Sequence, residues 1–284
     1  MQQPDEWEFQ ANRILLSGKP PHFAPAKPEL LVIEQRLAAL AASLQRPPVL
    51  LVLGATPELA DLGLRQGCHV YRVDCSPAML KSAEFRQQVE DRRNETVLCC
   101  DWREITTIPS GTIDFVTGDA SLNNIAHLDQ PTLFAELRRV THPGSILAFK
   151  QIVLPDQPDP LHQFDKALAA HRSGRLSESE FYKLIRYVCF REELYNPDEH
   201  TLDAADVFAT VLKKRDEGAL RKAEFEFLYT RQGKVKHTLY TQTEQQHLLR
   251  DHLGPCELVS PSGDCYYRDI VNVFMVTIPP DPIG

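Results

Sequence analysis

The stretch that most constrains this chain runs from Pro48 to Asp74, PVLLVLGATPELADLGLRQGCHVYRVD. Its apolar run at 49–53 has no polar alternation, which predicts a strand buried on both faces, as in a parallel sheet. Gly54 then makes a tight turn, Thr56 and Pro57 stand at the cap and first position of a helix, and Gly67 ends it. A second strand at 68–73 ends on Asp74. That acid lies about 20 residues past Gly54, the spacing at which a nucleotide-binding βαβ unit sets a carboxylate against a ribose. A dinucleotide site also needs a run of glycines, so that backbone can approach a pyrophosphate. Here Gly54 is followed by Ala55-Thr56-Pro57-Glu58. The combination predicts a ligand with a ribose and no phosphates.

The same alternation continues. Ser76-Pro77 repeats the cap-plus-proline signal for a helix reaching about Val89, and strands are predicted at 95–100, 112–118 and 145–154. A helix at 131–140 and a Pro143-Gly144 turn separate the last two. Strands alternating with helices imply right-handed crossovers and a parallel sheet covered on both faces, an α/β fold. In such sheets ligands bind at the carboxyl ends of the strands. Gly54, Asp74, Asp101 and Asp119 fall at four such ends. Among ligands with a ribose and no phosphates, S-adenosylmethionine is the commonest.

Outside this pattern the chain changes character. Residues 1–28 mix Trp7, Phe9, His22 and Phe23 with prolines at 4, 20, 21, 25 and 28, which predicts an arm too broken to form a core. A helix follows at 29–44. After the boundary signal PDQPDP at 155–160, helices are predicted at about 160–172, 178–192 and 202–216, with no strand. Residues 224–241 alternate about Gln232-Gly233, as a β-hairpin would, although the first half also suits a helix. A helix at 243–253 and strands at 256–259 and 270–278 close the chain. The expected organisation is an N-terminal arm and helix (1–46), a ligand-binding core (47–154), a helical cap insertion (155–222) and the C-terminal part of the sheet (223–284).

The net charge of −8 over 284 residues argues against nucleic acid or an anionic membrane as partner, since both attract basic surfaces. The seven cysteines follow no CxxC or Cys/His ligand spacing. That suggests free thiols in a reducing compartment, hence a cytoplasmic protein. The N-terminus has no signal-peptide pattern, and no apolar run reaches membrane-spanning length.

Five segments carry a resemblance: VLLVLGATPEL, VYRVDCSPAML, the acid of CCDWREI, FVTGDASLNNI and LRRVTHPGSILAF. Over residues 45–154 and 240–278 the chain resembles the class I S-adenosylmethionine-dependent methyltransferases, and VDCSPAML is the most specific element. The resemblance implies a doubly wound, mostly parallel seven-stranded sheet of Rossmann-like type. It implies that Asp74 accepts both ribose hydroxyls of S-adenosylmethionine and that Cys75 and Met79 flank the adenine. Asp101 would take the adenine amino group, and Trp102 would wall the pocket. Asp119, Ala120 and Ser121 would line the sulfonium and methionine end. The usual GxGxG is replaced by Gly54-Ala55-Thr56-Pro57-Glu58, so Thr56 and Glu58 either contact the cofactor or simply cap the helix and complement its dipole.

The implied reaction is in-line methyl transfer, which often requires a base. His22, His127 and Tyr182 are the leading candidates, with His171, Tyr187, Tyr195 and His200 beside them. No metal is expected, because the fifth strand ends in Lys150-Gln151-Ile152-Val153 rather than in carboxylates and an amide. The Asn/Asp-Pro-Pro-aromatic run of amino-methylating enzymes is absent after the fourth strand, and the cap suits an enclosed small molecule. Two other readings keep the fold: an enzyme that cyclises or cleaves the cofactor, and a non-catalytic module that binds it.

Overall fold

The computed structural model describes residues 4–17, 24–230, 235–259 and 269–280. Strand β1 (Val49–Leu53) lies at the centre, and Leu50 to Leu53 are all buried because successive side chains point to opposite faces of a doubly covered sheet. Leu50 and Val52 meet helices α2 (Lys27–Ser43) and α3 (Pro57–Arg65) through Ile33, Leu37 and Leu59. Leu51 and Leu53 belong to the opposite layer with α5 (Gln130–Val140) and α11 (Gln242–His252), whose Phe134, Leu137 and Leu249 pack there.

Around β1 the sheet adds β2 (His69–Val73), β3 (Glu95–Leu98), β4 (Ile113–Asp119), β5 (Thr141–Ile152), β8 (Cys256–Val259) and β9 (Val271–Thr277). Their order is β3-β2-β1-β4-β5-β9-β8, with β9 antiparallel to both neighbours and the first five parallel. This is the doubly wound, mostly parallel seven-stranded sheet expected from the sequence. Helix α4 (Pro77–Arg86) follows β2, with Ser76 Oγ accepting from the Met79 N–H at its start. Among the described residues, no helix is long and apolar enough to cross a membrane.

Helices α6 (Phe164–Arg172), α7 (Glu178–Tyr187), α8 (Arg191–Leu194), α9 (Ala204–Asp216) and α10 (Lys222–Tyr229) form the cap. Phe164, Phe181, Leu184, Val207 and Leu228 give it an apolar core of its own, which runs into the sheet at Ala120, Ile152 and Val271.

Three expectations are corrected. The 224–241 hairpin does not form: its first half is α10, where Glu224 and Leu228, four residues apart, are buried on one helical face. Arg172 clamps Glu224 with two hydrogen bonds of 2.8 and 2.7 Å. The expected turn Gln232-Gly233 lies outside the described residues. The cap is not free of strand, because β6 (Thr201–Leu202) pairs antiparallel with β7 (His237–Thr238). The N-terminal arm contains a helix, α1 (Pro4–Ser17), with Ala11 and Ile14 buried. Its prolines bracket this segment rather than interrupt it.

Candidate active site

At the carboxyl end of β1, Gly54 adopts φ +113°, a conformation that side-chain-bearing residues rarely take, and its N–H donates to Val73 O at 2.8 Å. This turn faces Asp74 at the end of β2. The Ala55 N–H donates to Asp74 Oδ2 at 3.0 Å and the Ser76 N–H to Oδ1 at 2.8 Å. Burial raises the Asp74 carboxyl to about 6, against the opposing pull of these N–H groups and of the Arg72 charge. Trp102 Nε1 donates to Val73 O at 2.7 Å, which fixes the indole beside Gly54.

On β4 the carboxylate of Asp119 pairs with buried Lys150 at 2.8 Å, and Lys150 lies 3.7 Å from Glu29 on α2. Burial raises Asp119 to about 6, with Lys150 opposing. Ala120 then takes φ +52°, which costs roughly 1–2 kcal/mol for an L-residue. Hydrogen bonds hold it there: its N–H donates to Lys150 O at 2.8 Å, and Asn124 Nδ2 donates to its carbonyl at 3.1 Å. Backbone strain of this kind concentrates at functional sites.

One cavity opens over these strand ends. Gly54, Ala55, Thr56, Asp74, Cys75, Met79, Trp102, Asp119 and Ala120 line it on the sheet side, and Tyr182 on the cap side, so the fold brings these expected residues together. Tyr187 joins them. Thr56 makes no side-chain capping bond to α3.

Other expected site residues are placed elsewhere. Glu58 turns away to pair with Arg86. Asp101 is closed by Arg103, whose Nη2 and Nε lie 2.6 and 3.1 Å from its carboxylate, and this pairing holds Asp101 below the usual range. Ser121 is fully buried against Gly118, where an added Cβ would come within 2.3 Å of Ser121 Oγ. None of the three is among the cavity's lining residues. His127 lines a separate cavity with Asp198 and Thr238, and its Nδ1 lies 2.6 Å from Tyr240 Oη. His171 stacks on Phe181, and Tyr195 Oη lies 3.1 Å from His200 Nδ1, both away from the first cavity's lining. His22 lies outside the described residues.

Several lining residues were not anticipated. From the cap come Arg186, Val235 and His237, and from α1 come Gln10, Arg13 and Ile14 beside Trp7. His237 Nδ1 lies 3.1 Å from Tyr187 Oη. Burial and then the Arg186 charge push His237 down to about 3, so its imidazole is neutral at physiological pH. Burial raises the Tyr187 phenol above its usual value. No sequence signal singles out Arg186 or His237, which sit in unremarkable charged stretches.

These walls fit a nucleoside without phosphates. Two carboxylates, Asp74 and Asp119, face the cavity beside the apolar Met79 and the indole of Trp102. Such acids would repel a pyrophosphate but suit ribose hydroxyls and a cationic sulfonium.

Residues 53–149 match a family described as methyltransferase domain. Among solved structures, one similar chain is a Rhodobacter sphaeroides protein designated a zinc-dependent alcohol dehydrogenase, at 14% identity and TM-score 0.54, covering 98% of this chain and 99% of that one. Another is the 1,6-didemethyltoxoflavin-N1-methyltransferase of Burkholderia thailandensis with bound 1,6-didemethyltoxoflavin and S-adenosylhomocysteine. It is 14% identical with TM-score 0.52, covering 99% of this chain and 92% of that one. Both likenesses are of fold. No curated protein sequence matches significantly. Among the described residues, no group of three or more His, Cys, Asp or Glu side chains is placed to hold a metal ion.

Proposed function

We propose that this class I S-adenosylmethionine-dependent methyltransferase acts on a small molecule enclosed between its sheet and its cap. One observation carries the reading: a single cavity is walled by Gly54, Asp74 and Asp119 from the strand ends and by Tyr182, Tyr187 and His237 from the cap. A large polymer would need an open groove, whereas a cap over the strand ends suits a ligand that is mostly enclosed. The net charge of −8 also disfavours nucleic acid as the acceptor.

When bound, the cofactor supplies an electrophilic methyl group on its sulfonium. The chain's own residues then have separable roles. Asp74 accepts from the ribose hydroxyls with the lone pairs its two backbone donors leave open. Cys75 and Met79 flank the adenine, Trp102 walls it, and Asp119 and Ala120 line the sulfonium end. The cap excludes water, which strengthens each electrostatic contact inside. Tyr182 is the proposed group to receive a proton from the acceptor. The Tyr187–His237 pair is the proposed group that orients the acceptor's nucleophilic atom, since burial leaves that imidazole neutral and too weak a base to keep a proton. Unpaired thiols at Cys68, Cys75, Cys99, Cys100, Cys189 and Cys256 support a reducing, cytoplasmic setting.

The test is a product assay with methyl-labelled S-adenosylmethionine and a low-molecular-mass cell extract. Label in a small molecule with adenosylhomocysteine as coproduct is the expected outcome. Methylthioadenosine as coproduct would replace transfer by cofactor cleavage, and label confined to protein or nucleic acid would overturn the choice of acceptor.

A further inference from the structure

Arg186 on α7 is 3% exposed and lines the cavity beside Tyr182, Tyr187 and His237. Its Nη2 donates to Val235 O at 2.9 Å, and its guanidinium carbon stands 4.8 Å from the Tyr187 ring centroid. Its Nη1 is buried without a hydrogen-bond partner, and among the described residues no carboxylate forms an ion pair with it. A buried guanidinium carries a large desolvation cost, which an anion in the cavity would offset.

We propose that Arg186 is the specificity residue for an oxyanion on the methyl acceptor, a carboxylate or a phosphate to which its unpartnered Nη1 donates. This rests on the small-molecule reading above and narrows it to anionic acceptors. A bond from a guanidinium N–H to either group is charge-assisted and about twice as strong as a neutral one. The placement is specific to the cap. Sheet-side Asp74 and Asp119 are acidic and would repel an anion, whereas among the described residues the cap side carries Arg186 and α1 adds Arg13 to the wall. The neighbouring imidazole of His237 is neutral and does not compete for the anion. An acceptor anchored at Arg186 would present the rest of its structure beside Tyr182 and the Tyr187–His237 pair. The competing occupant is the α-carboxylate of the cofactor itself.

The experiment is calorimetry on protein saturated with S-adenosylhomocysteine, titrated with benzoate, phenyl phosphate and the uncharged benzamide. At least one anion should bind about tenfold more tightly than benzamide, a difference of about 1.4 kcal/mol. A preference for benzoate would assign a carboxylate, and one for phenyl phosphate a phosphate. In Arg186→Met that preference should vanish while affinity for S-adenosylhomocysteine changes by less than about threefold. Equal binding of anions and benzamide by the native protein would overturn the inference, and that comparison needs no variant. Loss of S-adenosylhomocysteine binding in Arg186→Met with the anion preference intact would also overturn it, by giving the guanidinium to the cofactor. Should the native protein fail to bind S-adenosylhomocysteine, the functional reading falls and the assignment of the anion to a methyl acceptor falls with it, whatever the anion preference.

Discussion

On the sheet side of the cavity, each charged group is answered where it stands. Asp74 has a backbone N–H on each carboxylate oxygen, and Asp119 has Lys150 at 2.8 Å. On the cap side, Arg186 is more deeply buried but has one carbonyl for a partner, and His237 is held neutral against Tyr187. The first arrangement is held in place before any ligand arrives, so it can receive a constant ligand without rearranging. The second leaves polar capacity unspent. Specificity for a variable ligand belongs where capacity is unspent, because a buried donor left unpaired penalises every ligand that cannot satisfy it.

The largest effect should come from separating the halves energetically. Phe181 is fully buried in the cap core and stacks on His171 with ring centroids 4.6 Å apart. Phe181→Ala should cost roughly 3–5 kcal/mol in the cap. Hydrogen exchange should show faster opening across residues 164–229 with β1 little changed. Equal loss of protection in β1 would mean that cap and sheet form one cooperative unit.

Next in size, Asp74→Ala should weaken S-adenosylhomocysteine binding about 30- to 1000-fold by calorimetry, from the loss of hydrogen bonds to a charged group. Unchanged affinity would move the ribose away from β2. The native protein should show a pH step in the same measurement. Hydroxyl donors favour the ionised carboxylate, and Asp74 ionises at about 6 in the free protein. Binding therefore strengthens as pH rises through 6 and levels off above 7, with a loss of up to about tenfold per unit below 6. In Asp74→Asn the step should shrink, leaving what Asp119, raised to the same value, contributes.

The smallest effect separates two acids that share a context. Asp101 stands just past β3 as Asp74 stands just past β2, but its carboxylate is engaged by Arg103. Asp101→Asn should change S-adenosylhomocysteine affinity by less than about threefold. A loss as large as that of Asp74→Ala would show that Arg103 releases the carboxylate to the ligand.

Sequence reasoning treated those two acids alike, since each falls at the carboxyl end of a predicted strand. What separates them is a side chain folding back from two positions on, a choice made by the fit of Arg103 between Asp101 and Asp129. The same limit produced the hairpin expectation at 224–241. The Glu-Phe-Glu-Phe run alternates like a strand, yet burial of Glu224 and Leu228 against the cap selects a helix. His127 and His237 show it again. Both are isolated histidines in the sequence, and only the position of β7 brings His237 to the cavity while His127 faces another.

The doubly buried central strand and the carboxylate facing Gly54 were determined by residues 48–77 alone. Their signals are local: an apolar run, a glycine turn, a cap with proline and an acid, each acting within a few residues. The cap side of the cavity had no such signature. In α7 the apolar stripe of Phe181, Leu184 and Ile185 marks the face packed into the cap core and does not mark Arg186, which lines the cavity. Trp102, Arg186 and His237 meet only because the cap docks on the strand ends, bringing together positions far apart in the chain. That docking is a property of the packed molecule, and it decided which charged groups the cavity would hold.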